Sequence, residues 1–183
     1  MWVRDRRVAD PAATLRWPAP ASEPVNLEDK EAVRKLLGSR EWRLNHLYRI
    51  KDKWGREITF ALNQVQCELD ESLHNRNIVL KSRQHGVTTW ACIRALDLAL
   101  FKEGQACGLV FHKKEEAVKA FIHKIMFAYD RLPAWLRAEI QVMTRDMTGK
   151  VEFSNESRIE VSTSHRGGTL QFLHISEYGP MVA

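Results

Sequence analysis

The sequence predicts an α/β domain built on a mostly parallel sheet with helices on both faces. Three observations predict it. Residues 106–111 are continuously apolar, the pattern of a strand buried on both sides. Residues 89–102 are apolar nearly all round a helix, from Trp90, Ala91, Cys92 and Ile93 to Leu100 and Phe101, so that helix belongs inside a layered domain. Strand, helix, strand and helix then alternate before a strand-rich last third.

Length and composition bound the rest. A chain of 183 residues can bury one substantial core. Apolar content of 44% and charged content of 28% are ordinary for a globular protein. A net charge of +5 pushes mildly toward polyanionic partners. Cys67, Cys92 and Cys107 are widely spaced, with no C-x-x-C pair, and read as reduced thiols of a cytosolic protein rather than metal ligands. The first 21 residues lack the apolar segment of a secretory signal. No apolar run approaches the roughly 20 residues that span a bilayer.

The elements follow in order. Residues 1–26 carry Pro11, Pro18, Pro20 and Pro24 and are expected to form a disordered arm, leaving 27–183 as the domain. Residues 27–38 predict a helix, with Glu28, Asp29 and Glu31 at its start, Arg34 and Lys35 near its end, and Gly38 as a stop. Residues 47–60 predict a hairpin turning at 52–55, followed by a helix over 63–73. Asn77-Ile78-Val79-Leu80 predicts a short strand, and the helix over 89–102 ends at Gly104. An amphipathic helix over 114–131 carries the stripe Val118, Phe121, Ile122, Ile125, Tyr129 and Leu132, and one more turn is expected over 134–139. Strands at 151–153 and 158–161 flank a turn, and 169–176 is a further strand.

The chemistry concentrates at two places. Lys81-Ser82-Arg83-Gln84-His85-Gly86-Val87-Thr88-Thr89 lies between the predicted strand 77–80 and the apolar helix. Strand, polar loop ending in Gly-x-Thr, then helix is the layout of a phosphate-binding P-loop. Two departures stand out: Lys81 replaces the first Gly, and Val87 replaces the Lys. Gly86 lets the backbone approach a phosphate, Thr88 is the candidate Mg²⁺ ligand, and Lys81 can reach in from the strand end. The competing reading is a plain strand-to-helix turn with ordinary basic residues. The second place is Leu170-Gln171-Phe172-Leu173-His174-Ile175-Ser176-Glu177, an apolar strand ending in an acid. It has the shape of a Walker B strand with Ser176 in the Asp position. Glu177 then orients the attacking water, and Ser176 holds Mg²⁺ only through a water. Any edge strand can also end in an acid.

Together these two halves resemble the ATPase domain of phage terminase large subunits, over about residues 44–180. The resemblance extends to 60–66, where Gln66 matches the adenine-recognising glutamine, to 76–84, and to Ser162-Thr163-Ser164-His165-Arg166-Gly167-Gly168-Thr169. It implies a P-loop NTPase-type sheet, C-terminally incomplete, with ATP and Mg²⁺ as cofactors. The nucleotide site would run from Lys81 through Ser82, Arg83, Gln84, His85, Gly86, Val87 and Thr88 to Thr89, with Gln66 added. Glu177 and Arg83 would be catalytic, and Thr88 and Ser176 would serve the metal. Implied partners are double-stranded DNA, a portal and a small terminase subunit, in a possible ring, inside a bacterial host. The family's coupling motif, sensing arginine and nuclease domain belong after Glu177, so no nuclease activity is expected. Two rivals are a remnant that binds nucleotide or DNA without productive hydrolysis, and a helicase-like DNA-dependent ATPase.

Several residues keep bland alternatives. Arg83 can touch the γ-phosphate or make a surface ion pair. His112-Lys113-Lys114 can lie near DNA or simply start a solvated helix. Arg166 with its two glycines can touch phosphate or form a turn. Trp42 and Trp54 can cover a base or pack in the core, and His85 reads as loop filler.

Overall fold

The computed structural model describes residues 25–80 and 85–177. Almost all of the expected arm, the loop residues Lys81, Ser82, Arg83 and Gln84, and residues 178–183 lie outside them.

Two short helices come first, α1 (Lys30–Leu36) and α2 (Arg40–His46). Asp29 caps α1 by accepting from the Ala32 amide, and Ser39 caps α2 by accepting from the Trp42 amide. The helix predicted over 27–38 is α1, ending just before Gly38, while α2, started by Ser39, was not expected. An antiparallel hairpin follows, β1 (Arg49–Lys51) and β2 (Glu57–Thr59), in register Ile50 to Ile58. Asp52 closes its turn, accepting from the Trp54 and Arg56 amides and the Arg56 guanidinium. Helix α3 (Gln64–Glu71) starts with a full capping box between Asn63 and Gln66.

The strand expected over 77–80 does not form. The Asn77 side chain instead bonds both the carbonyl and the amide of His74, closing a local turn. Ile78 and Leu80 are fully exposed. Helix α4 (Val87–Phe101) then runs through the core, beginning two residues earlier than its apolar pattern suggested. It leads to β3 (Ala106–Val110), every residue of which is buried. The long amphipathic helix appears as α5 (Lys114–Ala120), a π-helical segment (Phe121–Met126) and α6 (Phe127–Asp130). Its predicted stripe packs inward, with Phe121, Ile125, Tyr129 and Leu132 buried. Helix α7 (Ala134–Glu139) supplies the extra turn.

The sheet corrects the expected fold class. It has five strands in the order β4 (Val142–Asp146), β5 (Lys150–Phe153), β6 (Arg158–Ser162), β3, β7 (Phe172–Ile175). Strand β3 is parallel to β6 and to β7, but β4–β5 and β5–β6 are antiparallel. The sheet is mixed, not mostly parallel. The cause is local: tight turns join β4 to β5 and β5 to β6, and a tight turn can only make an antiparallel pair. Glu156 and Gly149 take left-handed φ values of 63° and 132° in those turns. Strand β4 has no apolar alternation, which is why the sequence hid it.

Helices expected on both faces gather over one. Register places Cys107, Leu109, Val151, Phe153, Ile159 and Val161 on a common face, in one buried cluster with residues of α2 and α4 through α7. The opposite face carries Lys150, Glu152, Arg158 and Glu160, with a Lys150–Glu152 ion pair. Leu170 packs there over Gly108, where a Cβ would meet its Cδ1 at 2.8 Å. Among the described residues β7 is an edge strand, with Leu173 and Ile175 exposed on this second face.

Asp97 fixes α4 against the N-terminal helices. Its carboxylate accepts from Arg43 Nε at 2.7 Å, Arg43 Nη2 at 2.8 Å and the Tyr48 hydroxyl at 2.7 Å. Burial opposes the Arg43 charge, but its hydrogen bond and attraction to Asp97 prevail and raise its pKa. Burial, then the Asp97 charge, lifts the Tyr48 phenol well above its usual value. Burial likewise pushes the Cys92 and Cys107 thiols up to about 12.

Replacing Asp97 with Ala strands a buried guanidinium and should cost about 3–5 kcal/mol, read from denaturant midpoints at constant slope. A loss under about 1 kcal/mol would remove the grip from the stability of the fold. The raised Tyr48 pKa predicts a second effect. The unfolded phenol ionises near about pH 10, below the folded one, so its contribution is complete below that pH and falls as pH climbs toward the folded value. Tyr48→Phe should flatten that alkaline decline.

Candidate nucleotide-binding site

The site forms where α4 begins. Gly86 sits at its N-cap with φ of 68°, and its carbonyl accepts from the Trp90 amide at 2.9 Å. The first turn therefore points amides that have no partner within the helix out of a 15-residue helix, a natural place for an anion. Val87, which stands where a P-loop has its lysine, is buried in the core. A lysine there would have to bury its ammonium, so the loop's cation must come from elsewhere.

The turn is clamped from α3. Gln66 is buried; its Nε2 donates to the Gly86 carbonyl at 3.0 Å and the His85 carbonyl at 3.4 Å, and its Oε1 accepts from the Asn63 amide. Asn63 Nδ2 adds a bond to the His85 carbonyl at 3.2 Å. The glutamine read as an adenine contact thus has its amide group engaged in holding the turn. It also lines an open cavity of about 330 Å³ between the hairpin, α3 and α4, bordered by Ile50, Ile58, Phe60, Gly86 and Thr89. The size and apolar walls suit a planar base.

Thr88 and Thr89 diverge. Thr88 Oγ1 lies 3.5 Å from Ser176 Oγ, bringing together the two residues read as metal-serving. Two hydroxyls fit Mg²⁺, which keeps several waters and takes its other oxygens from phosphates. Thr89 Oγ1 accepts from Lys124 Nζ at 3.0 Å. Lys124 lies in the π-helical segment, whose extra residue per turn changes the direction of side chains, and π segments often mark functional sites. Sequence reasoning missed Lys124; a lone lysine between Ile122 and Ile125, on the edge of an apolar stripe, was the available signal.

Ser176 is buried after β7, its amide donating to the Val110 carbonyl at 2.8 Å. Glu177 follows with φ of 57°, and its Oε2 lies 3.2 Å from His112 Nδ1. The carboxylate is thus turned toward the end of β3. Lys113 N-caps α5 without a side-chain bond, and Arg166 lies in an exposed loop whose Gly167 and Gly168 both take positive φ. Trp54 is exposed beneath Lys53 and Arg56, while Trp42 stacks on His46. Neither tryptophan borders the cavity.

The chain matches no protein-family model and no curated protein. Among the described residues no helix is long and apolar enough to cross a membrane.

The Gln66 clamp makes a prediction about Gly86. A Cβ at that position would meet Gln66 Nε2 at 2.7 Å in a left-handed backbone. Gly86→Ala should destabilise by about 1–3 kcal/mol. Because Gln66→Ala removes the clash, the double variant should lose less than the sum of the singles in a thermodynamic cycle. Strict additivity would refute the clamp.

Proposed function

We propose that this chain binds and hydrolyses ATP as the motor domain of a viral DNA-packaging machine, a terminase large subunit. One observation carries the reading: the helix start at Gly86 and Thr88 meets the strand end at Ser176 and Glu177, with the two hydroxyls 3.5 Å apart. The reading rests on this site and not on the sheet class, since sites recur on different scaffolds.

The roles follow from position. The adenine lies in the cavity beside the hairpin and Gln66. The α4 amides, Lys124 and Lys81 neutralise the phosphates, and Arg83 adds charge at the γ-phosphate. Thr88 would hold Mg²⁺, with Ser176 serving it through a water. When bound, Mg²⁺ would offset charge on the phosphate oxygens and so ease departure of the diphosphate. Glu177 orients the attacking water by accepting its proton. Coupled to DNA, a portal and a small subunit in a ring, this would make a motor inside a phage-infected cell. The positive net charge suits DNA.

A second reading is nucleotide binding without turnover. The turn of the Glu177 carboxylate toward His112 favours it, because a base engaged elsewhere is not poised on water.

Phosphate release separates the two. On the first reading, Glu177→Gln should lower Mg²⁺-dependent turnover by about 100-fold or more while leaving nucleotide affinity intact. Lys81→Ala and Lys124→Ala should each weaken nucleotide binding. Absence of turnover in the wild type, with binding that depends on Lys124, would select the second reading. Turnover unchanged in Glu177→Gln would remove that residue from the mechanism.

A further inference from the structure

His112 and Glu177 meet because of strand register. Val110 of β3 pairs with Ile175 of β7 in parallel, so residues two positions further along each chain emerge side by side. His112 and Glu177 are those residues. Glu116 joins them from the first turn of α5, which starts just past His112. Three elements thus deliver an imidazole and two carboxylates to one point at the sheet's C-terminal end.

The two spacings from His112 are close to those of ligands around a shared centre. His112 Nδ1 lies 3.4 Å from Glu116 Oε2 and 3.2 Å from Glu177 Oε2, and all three ligand atoms lie within 4.8 Å of one another. Bonds of about 2.0–2.2 Å in a tetrahedron put neighbouring ligands about 3.3–3.6 Å apart. A charge-assisted hydrogen bond would instead draw one pair to about 2.7–2.9 Å. Neither contact here has hydrogen-bond geometry: Nδ1 is shielded from solvent and has no hydrogen-bond partner among the described residues. A shielded nitrogen close to two carboxylates, hydrogen-bonded to neither, stands where a metal ligand would.

We propose that His112, Glu116 and Glu177 form a binding site for a divalent first-row transition metal of the Zn²⁺ class. The imidazole separates this site from the hydroxyl pair at Thr88 and Ser176, because nitrogen ligands select Zn²⁺ and its neighbours over Mg²⁺. The glutamate side chains are 45% and 54% exposed, so an ion can enter from solvent and keep a fourth position for water. The site needs no nucleotide. It shares Glu177 with the hydrolytic reading, and an ion held there would take that carboxylate away from water.

Titration of the whole chain with Co²⁺, without nucleotide, tests the site through visible ligand-field absorption, and Zn²⁺ competition gives the affinity. The expected result is a tetrahedral spectrum, displaced by Zn²⁺. His112→Ala and Glu116→Gln should each weaken binding at least about tenfold, the lower limit for disturbing even the surroundings of a metal ligand. Glu116→Gln changes an exposed side chain, and circular dichroism confirms its fold. His123→Ala, an exposed histidine elsewhere, should bind as the wild type does. A wild-type chain without the spectrum at saturating Co²⁺ would overturn the proposal, as would equal affinity in folded Glu116→Gln. Metal binding lost on Glu116→Gln in a chain without ATP turnover supports this site and refutes only the hydrolytic reading.

Discussion

The placement of α4 depends on the Asp97 carboxylate. This buried acid reaches both α2, through Arg43, and the start of the hairpin, through Tyr48. Arg43 also donates to the Leu37 carbonyl at the end of α1 and lies over the Phe101 ring at the end of α4. A single charge pair thus sets the direction of the helix whose other end carries the candidate site. Apolar residues of the same volume often match a buried ion pair in net stability, so what this pair supplies is direction: its hydrogen bonds tie α4 to α2 and to Tyr48.

From that anchored helix the site is built by clamps of two kinds. Gln66 and Asn63 hold the carbonyl side of the turn at His85 and Gly86, and Lys124 approaches from the other side at Thr89. With Val87 buried between them, the turn is held by neutral amides and faced by a cation that belongs to a different element. A lysine from outside the turn thus sets positive charge beside Thr89. The lysine is supplied by a helix whose π segment re-aims it.

The sequence made the helical core legible because its periodicity is strong. The apolar faces of α4 and of the long helix after β3 are where their patterns place them, and the hairpin lies where its turn residues announced it. The candidate residues at Thr88 and Ser176 do come together, since both flank strongly patterned elements. Failures arose where local polar chemistry competes with pattern. Asn77 turned an apolar tetrapeptide into an exposed bend by bonding to His74. Ser39 started a helix where Gly38 alone signalled a stop. Strand β4, with Val142 and Met143 side by side before Thr144, Arg145 and Asp146, gave no alternation, and strand direction depends on pairing partners that no single segment encodes. His112, Glu116 and Glu177 were invisible as a set because only the β3–β7 register brings them together.

The two margins of the sheet differ in kind. Strand β4 ends one side with Thr144, Arg145 and Asp146 and an irregular register against β5, features that discourage another strand from adding on. Among the described residues strand β7 ends the other with Phe172, Leu173, His174 and Ile175, without a lysine, proline or bulge, and with two apolar side chains facing water. Such a border is a template for main-chain hydrogen bonds from any extended segment. Among the described residues the β7 border is therefore the better suited of the two to accept a further strand. A second molecule offering the same border can pair with it as readily as any other extended segment.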